Sequence, residues 1–80
     1  VNDHDCAVIL FSSAHHALRG EKALKKAGLK HAVINTPREF TRDCGISIRV
    51  EKHLRGEAER VLREANVPYN AVKPYRFRWI

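Results

Sequence analysis

Cys6-Ala7-Val8-Ile9-Leu10-Phe11 is apolar at every position and rich in β-branched and aromatic types, so a strand built from it is apolar on both faces. That feature constrains the fold more than any other. One helical layer would cover only one of the two faces. A second cover is therefore expected, either a partner subunit or the C-terminal tail. With 80 residues there is room for one modest core and no more, so residues 1–80 are read as a single domain. Its compact part is expected over about 5–73, with an aromatic and basic tail over 74–80.

The rest of the chain supplies what that strand needs. Ala14, Ala17, Leu18, Leu24 and Ala27 recur at helical spacing after Ser12 or Ser13, either of which suits an N-cap. Lys25, Lys26 and then Gly28 close the helix with cations at its negative end and a residue suited to a left-handed stop. Glu21 falls on the inward side of this helix, and a bridge to Lys25 is the default expectation. Leu29 to Ile34 reads as a second strand near an edge, with Lys30 and His31 reaching water. Ile46-Ser47-Ile48-Arg49-Val50 alternates strictly and reads as a third, with Ser47 and Arg49 on the face away from the core. Leu54, Ala58, Val61, Leu62 and Ala65 make one stripe on a second helix, with Glu59–Arg63 and Arg60–Glu64 as surface pairs. Asn66 and Pro68 end it. Tyr69 to Val72 is expected as a fourth strand bordered by Pro74, before a ribbon in which Tyr75, Phe77 and Trp79 alternate with Arg76 and Arg78.

The order strand, helix, strand, strand, helix, strand predicts an α+β fold of the ferredoxin-like βαββαβ kind, an antiparallel sheet with both helices on one face. In that topology the connection from the second strand to the third lies at the end of the sheet where the first helix begins. This connection, Asn35 to Gly45, is where the chemically specific residues gather. Thr36 and Glu39 have capping-box spacing and Pro37 suits a first helical position, so one tight helical turn is expected there. That turn carries Arg38 and Arg42 toward Cys44, and Gly45 permits a sharp bend. Cys44 should then approach Ser12, Ser13, His15 and His16 at the positive pole of the helix. A thiol so surrounded is favoured as the thiolate, its reactive form. Cys44 is the candidate thiol, Arg38, Arg42 and His16 its candidate supporters, and Ser12, Ser13, Thr36 and Gly45 the candidate donors stabilising an anion or thiolate.

Composition narrows the classes. The two cysteines make no C-x-x-C pair and are too few for a disulfide framework, and strand length should keep Cys6 and Cys44 beyond disulfide reach. Cys6 is expected to be the partly buried, slower thiol. No apolar run is long enough to span a bilayer and the Val1-Asn2-Asp3-His4-Asp5 start is not signal-like, so no membrane contact and a cytoplasmic location are expected. The net charge of +6 invites an anionic or nucleic-acid partner, although glutamates interleave the helical cations. No nucleophilic triad, phosphate-cradling loop or carboxylate pair accompanies the thiol, so an enzyme is disfavoured.

Several blocks carry a family resemblance. Phe11-Ser12-Ser13 with His15-His16-Ala17-Leu18, Glu21-Lys22, Leu24 to Gly28, and above all Thr36-Pro37-Arg38-Glu39 followed by Asp43-Cys44-Gly45, resemble the selenium/sulfur (Se/S) carrier-like family of small bacterial proteins. The likeness runs to about Val72, leaving Cys6 and the stretch from Tyr75 to Ile80 outside its pattern. It implies a role for Cys44 as carrier thiol, with Thr36, Pro37, Arg38 and Gly45 in the same motif and His16 and Glu21 in that of the first helix. The function so implied is passage of sulfur or selenium between donor and acceptor proteins as a persulfide or selenyl-sulfide, with no cofactor. Three alternatives stand beside it. One is an anion or nucleic-acid binding module. Another is a metal site joining Cys44 to His15 or His16, completed by His4 or His31 across a dimer. The last is an interaction module in which the thiol is incidental. A homodimer through the outer sheet face or the tail belongs to the same set of expectations, while His31 and His53 read as surface histidines.

Overall fold

Strand β1, Asp3–Leu10, lies inside a four-stranded antiparallel sheet of order β2-β3-β1-β4. The computed structural model describes residues 3–40 and 45–78. After β1 come helix α1 (Ala14–Lys26), β2 (Ala32–Asn35), β3 (Ile46–Glu51), helix α2 (Arg55–Glu64) and β4 (Ala71–Arg78). This is the ferredoxin-like two-layer sandwich that the element order predicts, with β2 at one edge and β4 at the other.

The faces of β1 divide as its composition demands. Ala7 and Ile9, level with Val50 and Ile48 of β3, face the helices and form one core with Ala17 and Leu24 of α1 and Ala58 and Leu62 of α2. Each large aliphatic side chain buried there contributes roughly 1.5–3 kcal/mol. Phe11, just beyond β1, slots beneath α1 at Gly20, where a β-carbon would lie 2.9 Å from the ring and 3.3 Å from Leu62. Gly20 thus lets α1, α2 and the end of β1 meet.

Both helices stop by the same device. Gly28 and Asn66 take left-handed backbone at φ 73° and 58°. Leu29 and Val67, the residues after them, donate to Leu24 and Leu62 at 3.0 and 2.9 Å. Those four side chains are all buried in the core, so each helix end is both hydrogen-bonded and stapled.

Several details differ from the sequence reading. Glu59 meets Arg55 at 3.1 Å and accepts from the Tyr69 hydroxyl at 3.1 Å rather than pairing with Arg63, because Tyr69 lies against that side of α2. Arg60 and Glu64 do pair, at 3.3 Å. The fourth strand begins at Ala71 and runs through Pro74 to Arg78, so Tyr75 to Arg78 extend the sheet beside β1. An edge strand accommodates a proline because its open side needs no ladder donor. Cys6 is not at the start of β1 but in its middle, level with Tyr75. No helix of the described residues is long and apolar enough to cross a membrane.

Candidate functional site

The face of the sheet away from the helices is covered from within the chain. Val8 and Ser47 on that face are fully buried. Residues 36–40 of the β2–β3 connection reach this face at Ser47 and at Tyr75. Thr36 donates its N–H to the Gly45 carbonyl at 2.9 Å, which closes the connection at its base. The Thr36 hydroxyl meets that of Ser47 at 2.5 Å, so the polar outward residue of β3 is buried and satisfied. A 3₁₀ turn then spans Arg38–Phe40, with the Phe40 N–H bonded to the Pro37 carbonyl at 2.9 Å. The expected tight turn is present. Its entry is held to β3 through the Gly45 carbonyl and the Ser47 hydroxyl.

Phe40 carries this connection across the sheet. Its ring meets Tyr75 of β4 edge-on, with centroids 5.6 Å apart and planes at 68°, although β2 and β4 are opposite edges. Such a pair adds roughly 0.5–1.5 kcal/mol beyond the area it buries. Beneath it in register lies Cys6, 5% exposed, whose thiol donates to the Tyr75 carbonyl at 3.3 Å. In the sequence, the sign of this arrangement is Phe40, an aromatic residue standing in a largely polar connection.

Register also fixes which end of the sheet holds the connection. Ser47 is level with Leu10 on one side and Ile34 on the other, so Gly45 comes to the end where β1 passes into α1. There Ser13 caps α1, its hydroxyl accepting the His16 N–H at 3.3 Å. The His16 ring nitrogen Nδ1 lies 3.1 Å from the Ser12 hydroxyl and 3.3 Å from that of Ser13. Ser12, Ser13 and His16 therefore form one cluster at the positive pole of α1. Arg38 and Gly45 are exposed and Thr36 is half-buried. Arg42 and Cys44 lie outside the described residues, as does Trp79.

One of the two histidines expected at the surface is not there. His31 is not at the surface: its side chain is only 10% exposed, with Nδ1 2.7 Å from the Leu29 carbonyl and Nε2 3.0 Å from Glu21. Glu21 thereby spans from α1 to the start of β2 rather than pairing with Lys25 along the helix. With both ring nitrogens engaged, His31 is not available as a metal ligand. His53 is a surface histidine, 71% exposed and 3.6 Å from Glu51. Among the described residues no group of three or more His, Cys, Asp or Glu side chains is placed to hold a metal ion.

Residues 5–74 match the family model described as "Putative Se/S carrier protein-like". No curated protein and no solved structure matches.

Proposed function

Because the chain belongs to the Se/S carrier protein-like family, we propose that it carries one sulfur or selenium atom on Cys44 between partner proteins and catalyses no reaction of its own. The observation that most supports this is the threading of the sheet, which brings Gly45, the neighbour of Cys44, to the end of the sheet where α1 presents its positive pole and the Ser12, Ser13 and His16 cluster. Positive charge and free N–H groups at such a pole favour a thiolate. Arg38, exposed on the same connection, and Arg42, two residues before the thiol, add cationic character. Thr36 and Gly45 close the connection that bears it.

The chemistry is thiolate exchange without net oxidation. The Cys44 thiolate attacks the terminal sulfur of a donor's persulfide, forming the Cys44 S–S bond as the donor's S–S bond breaks. The donor leaves as a thiolate and the proton stays on the transferred sulfur. Discharge to an acceptor thiolate reverses these roles, and selenium would travel likewise as a selenyl-sulfide. Cys6 has no part in it, being buried and hydrogen-bonded within the sheet.

Incubation with a cysteine desulfurase and cysteine, followed by intact mass, tests this reading. Wild type and Cys6→Ala are expected to gain one sulfur that a reductant removes, and Cys44→Ala to gain none. Equal loading of Cys44→Ala, or no adduct on any form, would contradict it.

A further inference from the structure

The helix layer carries a second surface, distant from the thiol connection. An open groove of about 340 Å³ is lined by Arg19, Lys22, Ala23, Lys26, Ala65 and Val67. Its floor is aliphatic and its rim is cationic. Arg19, Lys22 and Lys26 are exposed, and none has an ion-pair or hydrogen-bond partner among the described residues. On α2, by contrast, two of the three arginines, Arg55 and Arg60, are matched by Glu59 and Glu64. The one carboxylate of α1, Glu21, is engaged by His31 on the side facing β2. Three exposed cations without an ion-pair partner among the described residues therefore stand beside an apolar trough.

We infer that this groove docks an acidic segment of a protein partner, seating an aliphatic side chain on Ala23, Ala65 and Val67 while flanking carboxylates meet Arg19, Lys22 and Lys26. Charge complementarity identifies the occupant as anionic, and the aliphatic floor identifies it as a polypeptide. A nucleic-acid strand would call for aromatic faces on which bases stack, and the groove lining has none. The net charge of +6 would speed encounter with such a segment, in a salt-dependent way. Position gives the groove its use. At 1.5 Å per residue the thirteen residues of α1 span about 20 Å. Lys22 and Lys26 belong to the C-terminal half of α1, whereas Gly45 comes to the end where α1 begins. A partner held by the groove leaves that end uncovered for exchange. The proposal rests on the carrier reading only in naming the partner as a sulfur or selenium donor or acceptor.

Titration of the full ¹⁵N-labelled chain with the synthetic peptide Glu-Glu-Leu-Leu-Glu-Glu, alongside oligouridylate, tests the groove. The peptide should shift the amide signals of Ala23, Ala65 and Val67. Lys22→Glu with Lys26→Glu should weaken it by at least about ten-fold, or about 1.4 kcal/mol. Lys52→Glu with Lys73→Glu, the same charge change at exposed sites away from the groove, should alter it by less than about three-fold. Circular dichroism verifies that both double variants fold. Absence of peptide binding, equal weakening by the two pairs, shifts centred elsewhere, or tighter binding of oligouridylate to these residues would each overturn the proposal. Sulfur loading by a desulfurase is read separately by mass, so loss of carrier chemistry and loss of docking give different results.

Discussion

Ser47 shows how one side chain ties the candidate site to the sheet. Its hydroxyl is fully buried and meets Thr36, so removing only the partner strands a buried polar group. Thr36→Val is expected to cost about 1–3 kcal/mol in urea unfolding, and Thr36→Val with Ser47→Ala to recover much of it, because the second change removes the stranded Ser47 hydroxyl. A double variant no more stable than the single one would mean that the contact does not hold the connection down. His31 makes a similar case. His31→Ala leaves the Leu29 carbonyl and Glu21 without their partner and should cost about 1–2 kcal/mol. Lys25→Ala, at an exposed position, should change stability by no more than about 0.5 kcal/mol. Equal costs would restore the pairing of Glu21 along its own helix. Neither contact was legible in the chain alone, since each joins residues that only the sheet brings together.

Among the elements, α1 is the one whose placement depends on an absent side chain. Alanine is intrinsically better than glycine within a helix by roughly 0.5–1 kcal/mol. At Gly20, however, its β-carbon would press on Phe11 and Leu62, and such overpacking costs about 1–3 kcal/mol. Gly20→Ala is therefore expected to lower the melting temperature despite its helix propensity; a rise would show that Phe11 yields freely. The helices, β3 and the order of elements were readable beforehand because their apolar spacing has a period of its own, as Ile46, Ile48 and Val50 illustrate. The extent of β4 was not. Pro74 marks a break when the chain is read along its length, and only at the sheet edge, opposite Ala7, does it become compatible with a continuous strand.

At the scale of the whole molecule, the apolar character of β1 on both faces calls for two covers. One side packs on the helices, and Thr36 and Phe40 of the connection that leads to Cys44 reach the other at Ser47 and Tyr75. The described part of this connection, residues 36–40, is thus tied to the sheet. Cys6 lies packed in β1, whereas Gly45, the residue after Cys44, is exposed. The central claim is that this chain offers one working thiol. Competitive alkylation of the native protein at neutral pH tests it most directly, because it needs neither donor nor acceptor, and peptide mass mapping then reads each site. Cys44 is expected to react at least about ten-fold faster than Cys6, with the difference vanishing on denaturation. Equal native rates, or a Cys44 that reacts only once the chain is unfolded, would contradict the account.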